Sequence, residues 1–375
     1  MWNSWTLSRL DYRILPVILG LMVISLLVIS SMTADLSNED PTFWTPLVKT
    51  QLRWFCLGWC VFFLVSAFDY RRLRDWSLFL YIVILLLLIG LFFVGPIQNV
   101  HRWYRIAGLA SVQPSEQAKL ILVIFLSWFL ERRGANASSL STALQMGAIV
   151  GVPFLLILKQ PDLGTALILY PIALVMGYFA DVHRGVMRIA IGIGIASLLL
   201  VSLLFLGVLD HDEMRPSFTT VLKEYQYERL NPNTYHQKAS QIAIAIGGLT
   251  GTGWHKSTFS GRKWLPAAHT DSVFAAYGEE FGLVGILLLL LLFYALIYFS
   301  LQVAAVAKDP FGRYLAAGLS VYLAMHVLVN IGMMCALLPI SGVPLIFVTY
   351  GGSSILTTMG ALGLLQSIYS RRFMF

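Results

Sequence analysis

Apolar residues run through this chain in long blocks, interrupted by short gaps that hold most of the charges, glycines and prolines. Ten blocks approach or exceed the ~20 residues that carry a helix across a hydrocarbon layer of about 30 Å: residues 14–31, 54–68, 76–95, 118–130, 141–158, 165–180, 188–209, 273–301, 313–338 and 353–370. The second and fourth are the shortest. The pattern predicts an all-α polytopic membrane protein of about ten transmembrane helices. Between the seventh and eighth blocks it breaks. Residues 210–272 form a long polar loop that ends in Pro266-Ala267-Ala268-His269-Thr270-Asp271, directly against the next apolar run. A carboxylate where water meets hydrocarbon is costly, and such residues mark functional sites.

Composition agrees, with 58% hydrophobic and 12% charged residues, about half the charge of a soluble domain. The remaining charges orient the chain. With the N-terminus in the cytoplasm, thirteen of the 26 basic residues fall inside, including Arg71-Arg72, Arg132-Arg133 and Arg371-Arg372, but only six of the 19 acids. The inner side then holds the whole formal net charge of +7, as the positive-inside rule requires. Both termini are therefore expected in the cytoplasm and the loop 210–272 outside. Topology and anionic inner-leaflet lipid account for the basic balance, so no nucleic-acid partner is expected. Cys56, Cys60 and Cys335 all fall within predicted spans, with no metal or disulfide spacing. Block 14–31 is longer than a signal-peptide core and lacks a small-x-small cleavage site, so it reads as an uncleaved first span. No internal repeat divides the chain, and residues 1–375 are expected to form one domain.

Polar motifs recur on the expected outer side. After the third block come His101-Arg102-Trp103-Tyr104-Arg105 and Gln113-Pro114-Ser115-Glu116-Gln117-Ala118-Lys119. Pro114 suits a helix start, with Ser115 or Glu116 near the positive end of the dipole. Glu116 and Lys119 are three apart, so they share a helix face and can pair; a snorkelling ion pair is the plain structural alternative. Gln160-Pro161-Asp162-Leu163-Gly164-Thr165 has the grammar of a tight turn or helix cap. The stretch from Leu338 to Ser354 is uncharged and dense in Gly, Pro and hydroxyls, as irregular backbone packed at membrane depth would be. Within the polar loop, Tyr225-Gln226-Tyr227-Glu228-Arg229 and Tyr235-His236-Gln237 precede an amphipathic stretch at 242–244 and a run of glycines from Gly247 to Gly253. Those glycines could bring backbone amides to a pyrophosphate, but no Gly-Lys-Ser/Thr follows, which excludes a P-loop. A turn is the simpler reading.

As an ordered set these residues resemble the SEDS family (shape, elongation, division and sporulation), the polytopic peptidoglycan glycosyltransferases typified by RodA and FtsW. The motifs in family order are Arg102-Trp103, Gln113 to Glu116 with Lys119, Gln160 to Thr165, Gly247-Gly248-Leu249, His269-Thr270-Asp271 with Glu279-Glu280 and Gly282, and the loop from Gly342 to Ser353. The resemblance spans nearly the whole chain, and the Gln160 motif and short N-terminus resemble RodA more than FtsW. The chain departs from the pattern at Ala239, Ala267, Ser272-Val273 and Ile346.

The resemblance implies polymerisation of lipid II into glycan strands at the outer face of the bacterial inner membrane, in elongation and shape maintenance. Converting an α-linked donor to a β-1,4 product needs one inversion, hence one general base and help for the departing pyrophosphate. On that implication Asp271 is the base, its pKa raised by desolvation and tuned by His269. Lys119, Arg102, Arg105 or a divalent cation (Mg or Mn) on Asp271 or Asp162 supplies the positive charge, and the sequence leaves these alternatives open. Glu116 orients Lys119, Trp103 packs along isoprenoid or sugar, and Ser353 belongs to the loop lining the substrate. The likeness also implies a class B penicillin-binding protein as partner, a transpeptidase that crosslinks the growing glycan chain. The alternative function is a flippase for lipid II or another polyprenyl-linked sugar. It would want polar groups near the midplane, and only His326 and Asn330 are placed for that; both read as interhelical hydrogen-bonding groups. A scaffold that only recruits other enzymes does not account for a polar loop ending in His269-Thr270-Asp271.

Overall fold

The computed structural model describes residues 9–34, 42–94, 102–105, 111–219 and 224–372. Each of the ten predicted blocks overlaps one helix: α1 (Ile14–Thr33), α2 (Pro46–Ala67), α3 (Leu73–Gly90), α4 (Pro114–Arg133), α5 (Leu140–Lys159), α6 (Leu163–Phe179) and α7 (Arg184–Phe205), then, after the loop helices α8 (His211–Phe218), α9 (Glu224–Glu228) and α10 (Tyr235–Gly247), α11 (Val273–Val306), α12 (Pro310–Met334) and α13 (Gly352–Ser370). Among the described residues, seven are long and apolar enough to cross a membrane: α1, α2, α3 with its flanking turns, α5, α7, α11 and α12. The other three fall short for physical reasons. Helix α4 carries Glu116, Lys119, Glu131, Arg132 and Arg133, α6 has only 17 residues, and α13 is threaded with Gly, Ser and Thr. A two-residue ladder pairs Tyr104–Arg105 with Ser111–Val112.

Local signals place the ends. Thr45 caps α2 ahead of Pro46, Ser139 caps α5, and Asp309 caps α12 ahead of Pro310, each accepting from a first-turn amide. Helices α4, α12 and α13 form the centre. Their buried faces include Ser127, Ser320, His326, Asn330, Thr358 and Gln366, whereas Leu86, Leu155, Ile189, Ile193, Leu198 and Leu291 on α3, α5, α7 and α11 point outward. An outer shell this apolar around a partly polar centre is the arrangement a bilayer solvates well.

The glycine run of the long loop has a structural role. Helix α11 breaks at Gly282 (φ 61), which frees carbonyls before the break and amides after it. The loop after α10 takes up both sets: Thr252 and Gly253 donate to the Glu279 and Glu280 carbonyls at 2.9 and 3.0 Å, and Leu283 and Val284 donate to Gly248 and Leu249 at 2.9 and 3.2 Å. A Cβ on Gly251 would stand 2.1 Å from the Glu280 carbonyl oxygen, so only glycine permits the approach. The Glu279 carboxylate accepts from the Phe259 and Ser260 amides at 2.7 and 2.9 Å, and Glu280 accepts from Ser31 and from the His255 amide. Glu279-Glu280 thus tie the loop to α11. Gly251→Ala is expected to cost on the order of 2 kcal/mol or more, read as a lower melting temperature of the purified protein. An unchanged melt would show that the loop does not clamp the break.

Candidate active site

Two cavities meet at Asp271. The larger, about 610 Å³, is lined by Trp54, Trp103, Glu116, Asp271, Tyr350 and Ser353 among others. The smaller, about 440 Å³, is lined by Arg102, Glu228, Arg229, Thr234, Asp271 and Ser341 among others. Asp271 and Gly342 border both, and a Cβ on Gly342 would lie 3.8 Å from Asp271 Oδ2. A groove of about 690 Å³ between α1 and α11 is bigger, but no carboxylate, imidazole or cation lines it; it offers no acid–base chemistry.

Asp271 stands where the polar loop turns into α11, and its backbone is fixed from both sides. Thr270 and Ser272 donate to the Ala267 carbonyl at 3.0 and 3.1 Å, closing the turn. The loop before α13 grips the same segment: the Tyr350 amide donates to His269 O at 3.1 Å and Thr349 Oγ1 to Thr270 O at 3.2 Å. Asn330 Nδ2 on α12 completes the clamp by donating to Asp271 O at 3.2 Å and to Val343 O at 2.8 Å. The predicted irregular backbone around Leu338–Ser354 is therefore the wall that aims Asp271 into the cavities.

Burial raises the Asp271 carboxyl above its ordinary value, and His236, His269 and Arg102 oppose the shift. Burial also lowers both imidazoles below theirs, so they are neutral at neutral pH. His236 is 2.5 Å from Ser272 Oγ, the first flank of α11. The result is a half-buried carboxylate with a greater proton affinity than free aspartate, as the sequence anticipated.

Glu116 and Lys119 pair as expected, at 2.8 Å and fully buried. Lys119 Nζ is also 2.7 Å from His326 Nε2 and lies over the Tyr322 ring. His326 Nδ1 sits 3.1 Å from the Pro344 carbonyl; donation there leaves Nε2 to accept from the ammonium. Lys119 lines neither cavity, whereas Glu116 lines the larger one and, among the described residues, its Oε2 has no hydrogen-bond partner. Lys119 thus lies beneath the cavity wall and faces neither cavity. His326 and Asn330 are likewise bonded to the loop, at the Pro344 and Val343 carbonyls.

Asp162 caps α6, accepting from the Thr165 amide at 3.4 Å, and also accepts from Gln113 Nε2 at 2.9 Å and Ser115 Oγ at 3.0 Å. It lashes α4 to α6 and lines neither cavity. Both Asp162 oxygens accept hydrogen bonds, and among the described residues no three His, Cys, Asp or Glu side chains group around a cation position. Arg102 reaches the smaller cavity, donating Nε to Gln160 O at 3.0 Å and Nη2 to Pro161 O. Trp103 and Ser353 line the larger cavity, where Gln117 Nε2 donates to Ser353 Oγ at 3.3 Å. His101 lies outside the described residues. Sequence reasoning did not assign Trp54, Arg229, His236 or Asn330 to the site. Tyr235-His236 and Glu228-Arg229 were visible as polar clusters, but no spacing rule ties them to Asp271.

Comparison with known proteins covers the same length. Residues 12–372 match the FtsW/RodA/SpoVE family model, described as cell cycle protein. The chain is 34% identical over 371 residues to the peptidoglycan glycosyltransferase MrdB of Escherichia coli, covering 99% of this chain and 96% of that one. It is 31% identical to the stage V sporulation protein E of Bacillus subtilis, covering 96% of this chain and 98% of that one. Among solved structures, a chain of a peptidoglycan synthase complex that coordinates polymerization and crosslinking superposes with a TM-score of 0.76 at 25% identity, over 98% of this chain and 99% of that one. Rod shape determining protein RodA of Thermus thermophilus shares the fold, with a TM-score of 0.69 at 23% identity over 97% of this chain and 98% of that one.

Proposed function

We propose, from the premise that this chain belongs to the FtsW/RodA/SpoVE family, that it polymerises lipid II into glycan strands at the outer face of the bacterial inner membrane, with Asp271 as the general base. The chain is a multi-pass membrane protein and a peptidoglycan glycosyltransferase. The observation that carries the finer reading is the position of Asp271, on the border of a cavity walled by aromatic rings and hydroxyls and a cavity holding two guanidinium groups. Aromatic faces with hydroxyls suit a saccharide. In the proposed step the C4 hydroxyl of one sugar attacks the anomeric carbon of the other. The bond to the diphosphate oxygen breaks, the configuration inverts from α to β, and the hydroxyl proton passes to Asp271. Raised proton affinity serves that transfer, since a base works best with a pKa nearer the working pH.

Glu116 and Glu228 line the cavities beside Asp271, but among the described residues no three carboxylates or imidazoles group as a cage for Mg or Mn, and no step is routed through a metal. A class B penicillin-binding protein is the proposed partner, supported by the likeness to a complex that joins polymerization to crosslinking. Elongation is the proposed process, with the higher identity to MrdB than to the FtsW relatives in support. The orientation is tested with topology reporters. Fusions within residues 71–75 are expected to read cytoplasmic and within 229–238 extracytoplasmic, because of the +7 imbalance. A cytoplasmic signal from 229–238 would put the cavities on the wrong side for an outer-face polymerase.

A further inference from the structure

The groove between α1 and α11 takes no part in the proposed reaction. Its floor is bare at Gly20 and Gly285, and it shares no lining residue with the two cavities at Asp271. Val23 and Val284 on its walls are exposed. The stretch of α1 that lines it, from Gly20 to Leu27, is about 10 Å long, a length that suits part of an acyl chain. Apolar walls alone do not choose an occupant.

The loop over one end of the groove does choose. Thr250 lines the groove, and Trp254 Nε1 donates to the carbonyl of Leu27, another lining residue, at 3.1 Å. That bond sets an exposed indole at the mouth, a position typical of tryptophan at a membrane surface. Lys256 is on the same turn: its amide donates to Gly253 O at 3.0 Å, and a Cβ on Gly253 would lie 3.3 Å from its Cδ. From Trp254 to Trp264 the loop carries Lys256, Arg262 and Lys263, all exposed, and no acid. Arg262 lies over the Trp264 ring, 5.4 Å from its centre. The acids packed beneath the loop are buried and face inward, Glu279 accepting from the Phe259 and Ser260 amides and Glu280 from the His255 amide and Ser31. Among the described residues none of the three cations makes an ion pair. An apolar slot that opens beneath an indole and a cationic loop is complementary to a molecule with an anionic head and a hydrocarbon tail.

We propose that the α1–α11 groove binds an anionic phospholipid of the bilayer, with one acyl chain lying along Gly20 to Leu27 and the phosphate meeting Lys256 and its cationic loop beside Trp254. The occupant is a bilayer lipid and not the sugar-bearing substrate, because the groove and the cavities at Asp271 have no wall in common. The lipid braces a loop with a second task. The amides of Thr252 and Gly253, on either side of which Thr250 and Trp254 meet the groove, are those that take up the Glu279 and Glu280 carbonyls at the break in α11. A lipid held by the folded chain alone stabilises it in proportion to its occupancy.

The test is native mass spectrometry and thermal melting of the purified full-length chain with phosphatidylglycerol or with phosphatidylcholine of the same acyl chains. The proteins are wild type, Lys256→Gln, the triple variant Lys256→Gln, Arg262→Gln, Lys263→Gln, the groove-filling Val23→Trp, and Lys238→Gln, which removes an exposed cation of α10 that does not line the groove. Wild type is expected to retain phosphatidylglycerol in preference to phosphatidylcholine and to melt higher in its presence. Lys256→Gln is expected to weaken phosphatidylglycerol binding by about fivefold, the contribution of one cation at a charged lipid surface, and the triple variant to bind the two lipids alike. Val23→Trp, at an exposed position, is expected to melt like lipid-free wild type and to retain neither lipid; Lys238→Gln is expected to match wild type. Equal retention of the two lipids by wild type, a preference that survives in the triple variant, or retention unchanged in Val23→Trp overturns the assignment. A preference lost equally in Lys238→Gln overturns it too, as an effect of overall charge. So does displacement of the lipid by a class B penicillin-binding protein or by a second copy of the chain, either of which would give the groove to a protein helix.

Discussion

Asp271→Asn is expected to fold, to insert, and to lose glycan synthesis by at least about 10²-fold, the usual contribution of a positioned base. Asparagine keeps the volume of the side chain but cannot accept a proton. The backbone clamp survives, because Asn330 and Thr349 bind the main chain of residues 270–271 rather than the carboxylate. Because burial raises this carboxyl, the deprotonated, working form is lost as pH falls at a higher pH than for a free aspartate of pKa about 3.9. The wild-type rate should therefore rise with pH along a limb displaced above the ordinary carboxylate range, and the residual rate of Asp271→Asn should lack that limb. The pair of measurements is a thermal melt and a pH–rate profile on both proteins. A normal rate from a well-melting Asp271→Asn would remove Asp271 from the chemistry and shift attention to Glu116, the other carboxylate in the larger cavity.

The second large effect belongs to the buried pair beneath the site. In Lys119→Ala, Glu116 loses the ammonium that pairs with its Oε1, and among the described residues its Oε2 has no hydrogen-bond partner to take up the loss. In Glu116→Ala, Lys119 is left with His326 and the face of Tyr322. Breaking a buried pair on one side costs about 3–5 kcal/mol, and here the damage should pass through His326 to Pro344 and the cavity wall. Each single variant should melt well below wild type. The double variant should be much better than the sum of the two, because it leaves no lone charge behind. Additive losses in the melts of all four proteins would show that the two residues do not stabilise one another.

The helices and the motifs differ in how readably the sequence states them. Blocks of apolar residues located each spanning helix because hydrocarbon imposes one requirement on all of them, and Pro114, Asp162 and the 338–354 loop could be placed from cap and turn chemistry alone. Contacts between distant segments carry no such mark. Nothing in the Gly247–Gly253 run says that it fills a break in α11 at Gly282, or that Glu279-Glu280 hold the loop rather than a ligand. Asp162 shows the limit within one motif: its cap on α6 could be read from the Pro-Asp-Leu-Gly grammar, but its bonds to Gln113 and Ser115 could not. Arg229 went unassigned because only the fold brings it beside Arg102, at a carbonyl far from both in sequence.

The most direct test of polymerisation against transport places labelled lipid II in liposomes containing the purified chain and a class B penicillin-binding protein, and follows both the product and the leaflet of the label. The expected result is label in glycan polymer, abolished by Asp271→Asn. Movement of lipid II between leaflets with no polymer, equal in wild type and Asp271→Asn, would contradict the account.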